Sequence, residues 1–169
     1  MHVGYFKVRR RLKSLCKVRE GTLVDDTDYA LGRTNIEYER LIEQAKLMRP
    51  LTERVLRAAG IVAGMRVLNI GSGMGDVSFL VSELVGTTGS VVGVDLDRAV
   101  LRLADQRRVG RRLENISFRE GDARSVGSEG PFDAVVGRFV FMYFKDLTDA
   151  LRLMAERVRA GGIVAFHEW

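Results

Sequence analysis

One cysteine, two prolines and two histidines in 169 residues exclude several kinds of chemistry. A lone Cys16 permits no internal disulfide and fits a reducing, cytoplasmic setting. No Cys/His spacing of a zinc site is present, and neither is a serine elbow or a P-loop. No apolar run approaches the ~18 residues of a membrane span. The basic N-terminus lacks the apolar stretch of a signal peptide. No internal repeat and no low-complexity linker interrupts the chain.

What is present is ample core material. The chain is 46% hydrophobic and 29% charged, as expected of one soluble globular domain. The net charge of +5 is unevenly placed. Residues 1–20 hold Lys7, Arg9, Arg10, Arg11, Lys13, Lys17 and Arg19 against Glu20 alone, so the remainder is close to neutral. Such a run would suit a nucleic-acid or anionic-lipid surface. No aromatic or glycine pattern accompanies it, so residues 1–26 read as a solvated, disordered extension.

Beyond it the periodicity is first helical. Ile36, Leu41, Ile42, Ala45, Leu47 and Met48 fall near a 3.6-residue period, with Thr34 as the expected N-cap. Pro50 should break this helix, Thr52 to Ala59 continuing as a second piece before Gly60. Strands and helices then alternate. Strands are expected at 65–70, 90–95, 116–121, 132–137 and 163–169. Helices are expected at 75–85, 97–109 (carrying exposed arginines) and 146–160, with Gly161 and Gly162 as the last stop. Five strands alternating with helices predict an α/β fold, a doubly wound, mainly parallel sheet.

In such a sheet ligands gather at the carboxyl ends of the strands. There the first of these strands runs into "GSGMG", opening a helix. Gly71, Gly73 and Gly75 permit a tight turn and close approach of a cofactor to the backbone. The spacing is G-x-G-x-G. Asp76 stands where a dinucleotide fingerprint needs its third glycine, which argues against a nicotinamide dehydrogenase. Asp95 ends the second strand, where a carboxylate can accept hydrogen bonds from both ribose hydroxyls of a nucleoside. Asp97 is placed to cap the next helix. Asp122, past the third strand, is placed to accept from an adenine amino group.

These elements together, with "FDAVVGRFVFMY" and "GGIVAFHEW", resemble the seven-stranded, Rossmann-like (class I) S-adenosylmethionine-dependent methyltransferases, and especially their bacterial small-molecule group. The resemblance covers residues 29–169. It implies S-adenosylmethionine as cofactor, a small-molecule methyl acceptor, no specific nucleic acid and no membrane. It assigns 27–60 to a helical lid and 61–169 to the cofactor-binding domain. Gly71, Ser72, Gly73, Met74 and Gly75 would surround the cofactor's methionine end. Asp95 would bind the ribose, Leu96 flank the adenine, and Asp122 and Ala123 form the adenine-side loop. Arg138 would line the cofactor and substrate space, with Tyr29 and Gln44 covering the cofactor from the lid.

Three departures stand out. Asn69 replaces the acid that helps hold the cofactor's amino group, and Ser72 replaces a frequent cysteine. The chain also stops at Trp169, where the family continues through two more strands. The last strand should then be an exposed sheet edge inviting self-association, and the chain a C-terminally truncated enzyme or a non-catalytic cofactor-binding remnant. Methyl transfer chiefly needs alignment and exclusion of water. If a base is needed, His167, Glu168 and Tyr143 are the candidates, although Tyr143 also fits an aromatic core with Phe139, Phe141 and Phe144.

Overall fold

Five parallel strands form because short β-branched runs can be buried on both faces only inside a helix-covered sheet. The computed structural model describes residues 3–7, 35–122 and 130–168. In chain order it contains β1 (Val3–Lys7), α1 (Asn35–Ala59), β2 (Arg66–Ile70), α2 (Asp76–Val85), β3 (Ser90–Asp95), α3 (Arg98–Gly110), β4 (Ile116–Glu120), β5 (Phe132–Arg138), a 3-10 turn (Phe141–Tyr143), α4 (Leu147–Glu156) and β6 (Val158–His167). The sheet order is β1-β6-β5-β2-β3-β4. All neighbours are parallel except β1, which runs antiparallel to β6.

The chain leaves β2 for β3 on one side, and later returns to β5 on the other. That reversal makes the carboxyl ends of β2 and β5 the switch point of the sheet. One face is covered by α1 and α2, through Leu56, Ala59, Val77, Phe79, Leu80, Val81 and Val85, which pack on Val67, Val136 and Ala165. The other face is covered by α4, whose Ala150 and Met154 pack on Leu68, Val135 and Val164.

Four expectations are corrected. Pro50 does not break α1, which is continuous from Asn35 to Ala59. The proline is exposed, while Ala45 before it and Val55, Leu56 and Ala59 after it are buried. Burial on both sides outweighs one missing backbone bond. The last helix stops at Glu156, and Val158–Ala160 are strand instead. Val158 is buried and pairs with Phe132, whose N–H donates to Arg157 O at 2.9 Å. Disorder across 1–26 does not hold at Val3–Lys7, which form β1. For the same reason the last strand is not an open edge, since Val3 pairs with His167 and so on to Lys7 with Ile163. Thr34, Tyr29, Ala123 and the rest of the basic run lie outside the described residues.

Candidate functional site

The turn after β2 is shaped by its glycines. Gly71 adopts φ +62°, and a Cβ there would stand 2.3 Å from Val140 Cγ1, so only glycine lets the loop after β5 close against it. Gly73 adopts φ +52° with open space where a Cβ would project. Between them Ser72 turns inward, buried, its N–H donating to Val94 O at 2.9 Å. Met74 is also buried, so both residues line the loop from beneath, and Gly73 is the open position. Gly75 caps α2.

Asp95 is brought to this loop by the parallel pairing of β2 and β3. Its Oδ2 accepts from Gly73 N–H at 2.8 Å and its Oδ1 from Asp97 N–H at 3.0 Å. The carboxylate is therefore fixed in orientation, and each oxygen keeps a lone pair for another donor. Leu96, beside it, is 58% exposed, an apolar surface next to a fixed acceptor. Asp97 caps α3 as expected, accepting from Ala99 and Val100 N–H. Asp122 lies just past β4, and Gly121 N–H donates to Asp95 O at 3.0 Å, tying that loop to the same corner.

Asn69 sits in β2, buried, its Nδ2 donating to Ser78 Oγ at 2.8 Å. Its Oδ1 has no partner among the described residues, nor has Ser72 Oγ. A buried acceptor left idle is costly. A cationic amino group supplied by a ligand would satisfy it. Asp76 is drawn away from the loop: Arg107 of α3 clasps it at 2.7 and 3.1 Å and also donates to Met74 O at 2.6 Å. Arg107 is thus not among the exposed arginines foreseen for this helix. It braces the loop from behind, and no local sequence signal pairs two residues 31 positions apart.

Arg138 and His167 end adjacent strands and pair in register. His167 is buried, and its Nδ1 lies 3.0 Å from Thr52 Oγ1 of α1. The Thr52 hydroxyl gives its hydrogen to Met48 O at 3.0 Å. In the tautomer that matches this arrangement Nδ1 carries the proton and Nε2 keeps its lone pair, with no partner among the described residues. Burial, and then the Arg138 charge, hold the imidazole below its usual basicity. Arg138 in turn is lowered by its own burial, an effect partly offset by Asp76. Thr52 was missed in the sequence. Its signal was a single hydroxyl on the otherwise apolar buried face of a helix.

The other two base candidates fare differently. Glu168 accepts from Val140 N–H at 3.0 Å, holding the loop after β5. Burial raises its pKa, against the pull of N–H groups at Val140, Phe141 and Phe139. Tyr143 stands 53% exposed on the 3-10 turn, not inside an aromatic core. Gln44 is half-buried on α1, about two turns before Thr52.

A doubly wound sheet, a bare glycine turn at its switch point and a fixed carboxylate on the neighbouring strand define a nucleoside-binding α/β domain. The chain belongs to the family described as "Methyltransferase domain", whose model matches residues 61–168. This class uses S-adenosylmethionine, and the idle Asn69 Oδ1, the open Gly73 and the fixed Asp95 fit that cofactor's amino, backbone-facing and ribose groups. Among curated relatives, the chain is 32% identical over 138 residues to the aklanonic acid methyltransferase DauC of Streptomyces sp. strain C5, covering 81% of this chain and 62% of that protein. It is 31% identical over 134 residues to the demethylmenaquinone methyltransferase of Staphylococcus aureus strain MRSA252, covering 76% and 54%. The chain thus spans somewhat over half the length of these relatives. Among solved structures, a methyltransferase of Aquifex aeolicus shares the fold with a TM-score of 0.64 at 22% identity, covering 70% of this chain and 63% of that one. Among the described residues no helix is long and apolar enough to cross a membrane, and no cluster of potential metal ligands occurs.

Proposed function

We propose that this chain binds S-adenosylmethionine and transfers its methyl group to a small-molecule acceptor. The observation that carries the reading is the Asp95 carboxylate, locked by Gly73 and Asp97 N–H at the mouth of the glycine turn. Asp95 would take the ribose hydroxyls, Leu96 and Asp122 would border the base with Ala123, and Asn69 Oδ1 would accept from the amino group. When bound, the cofactor supplies a methyl group activated by a positively charged sulfur.

The remaining work is alignment and removal of a proton. His167 Nε2 is the best placed acceptor of the three candidates, because its lone pair is unused and its ring is held by Thr52. Burial beside Arg138 keeps it neutral, the form a general base requires. The named substrates of the two curated relatives, aklanonic acid and demethylmenaquinone, support a small-molecule acceptor and no more specific one. On this reading residues 27–60 form the lid segment, whose helix brings Thr52 to the site, and 61–169 the cofactor domain.

Calorimetric titration with S-adenosylhomocysteine tests the proposal. The parent should bind, and Asp95→Ala should weaken binding at least about 100-fold, two charge-assisted hydrogen bonds being lost. Equal binding by parent and variant, both folded by circular dichroism, would sink the cofactor reading.

A further inference from the structure

Among the described residues, Arg112 and Phe139 adopt a positive φ without being glycine, each at +55°. Arg112 stands exposed in the turn that ends α3, where a left-handed residue is common. Phe139 is half-buried at the carboxyl end of β5, beside the candidate site. For so bulky a side chain that backbone is sterically costly, and it persists only where the surroundings impose it.

The surroundings that impose it are visible. Phe139 is followed by Val140 at φ −108° and ψ −20°, a right-handed residue. A left-handed residue beside a right-handed one aims successive N–H groups to one side, making a concavity that binds an anion. Here the anion is the protein's own Glu168. Its Oε1 accepts from Val140 N–H at 3.0 Å, and the N–H groups of Phe141 and Phe139 pull on the same carboxylate. Phe139 N–H also donates to His167 O at 3.1 Å, which ties the strained residue to the end of β6.

The strained backbone carries the Phe139 ring onto His167. The two ring centroids are 5.3 Å apart, with the planes tilted by 49°. The imidazole is thus held at two places, by Thr52 Oγ1 3.0 Å from Nδ1 and by the phenyl ring against its face. Nε2 is left without a partner among the described residues. The charged groups around this imidazole are Arg138, whose guanidinium carbon lies 5.8 Å from the Phe139 ring centroid, and Glu168 next in the chain.

We infer that Phe139 and Glu168 are positioning residues for His167: the Glu168 carboxylate holds Phe139 in its left-handed conformation, and the ring so placed buries and orients the imidazole. This rests on the reading of His167 as the proton acceptor in methyl transfer, and assigns the strain at the end of β5 to that task.

NMR titration of the histidine ring protons tests the inference. The chain has two histidines, and His167→Gln assigns the signal. In Glu168→Ala the loop should relax, the ring should leave the imidazole, and the His167 pKa should rise toward about 6.5 as burial is lost. Loss of a nearby carboxylate acting through its charge alone would lower that pKa, so the sign separates positioning from electrostatics. Glu168→Gln should recover part of the parent's value, since its amide oxygen still accepts from Val140 N–H. Phe139→Gly removes the ring while leaving Glu168 in place, and should raise the His167 pKa as far as Glu168→Ala does. Because glycine takes φ +55° unaided, Glu168→Ala should lower the melting temperature less in the Phe139→Gly background than in the parent. A His167 pKa unchanged or lowered in Phe139→Gly or in folded Glu168→Ala, or equal melting losses in the two backgrounds, would overturn the inference and leave the cofactor reading intact. A parent that fails to bind S-adenosylhomocysteine would overturn the function on which the inference rests, whatever the imidazole titration shows.

Discussion

At Asn69 the protein holds an amide where the family resemblance implies an acid, and the surroundings allow the exchange to be tested. The Asn69 amide donates to Ser78 Oγ, and its oxygen is left over. In Asn69→Asp, the Ser78 hydroxyl can rotate and donate to the new carboxylate instead. The free oxygen would then carry charge toward a cationic amino group. S-adenosylhomocysteine should bind about tenfold more tightly, the gain when a neutral bond becomes charge-assisted. Calorimetry at one pH measures this, and an affinity no better than the parent's would show that Asn69 does not face the amino group. His167 makes a second residue-scale prediction. Burial and Arg138 depress its basicity in the folded protein, so the unfolded chain binds the proton first as pH falls below about 6.5. The associated stability is fully present above that value and lost as pH drops toward the folded pKa. The melting temperature of the parent should therefore fall more steeply than that of His167→Gln from roughly pH 7.5 to 5. Parallel curves for the two proteins would place no shifted histidine at this position.

Among the elements, the central strands were read from sequence to within a residue, because burial on both faces leaves an uninterrupted apolar signature. Ser90–Asp95 matches its expectation, while Arg66–Ile70 and Phe132–Arg138 differ by one residue at an end. The glycine turn and Asp95 were legible for a related reason, since their chemistry is local to a strand end. Thr52 and Arg107 were not. Their partners lie 115 and 31 residues away, at His167 and Asp76, and only the folded sheet brings them together. Val158–Ala160 misread as helix because the apolar spacing of α4 runs on past its end, and pairing with β5 decided the matter. Helix α1 shows the same priority of tertiary packing over a local rule. Pro50 lies inside it and is exposed, with apolar burial on either side. Replacing it tests how much the packing overrides. Pro50→Ala restores a donor to the Lys46 carbonyl and removes the ring's clash. It should stabilise the protein by about 2 kcal/mol, less a few tenths for the freer unfolded chain. A lower melting temperature for Pro50→Ala would mean that the proline itself is needed to seat Thr52 on His167.

The whole molecule is a sheet whose two ends do different work. Strands β2, β3, β5 and β6 carry the candidate site at their carboxyl ends, while β1 lies beyond β6 at the edge of the sheet. Its contribution is to occupy an edge. Residues Ile163–His167 include four of the most buried apolar side chains of β6, on a strand whose outer backbone groups would otherwise face solvent. An apolar strand with an open row of N–H and C=O groups is a template for pairing with another chain. The antiparallel register, from Val3 on His167 to Lys7 on Ile163, closes that row. Adjacent residues of a strand alternate the direction of their N–H groups, so one of any two neighbours points toward the partner strand. Proline at Tyr5 and, separately, at Phe6 therefore tests the pairing without knowing which bond is removed. At least one of Tyr5→Pro and Phe6→Pro should raise the sedimentation coefficient with increasing protein concentration, as freed β6 edges pair between molecules. The same variant should retain binding of S-adenosylhomocysteine while dilute, because Asp95 and the glycine turn lie on the far side of β5. Unchanged sedimentation in both variants would mean that β1 does not guard this edge, and loss of binding in the dilute monomer would mean that it holds β6, and with it His167, in place.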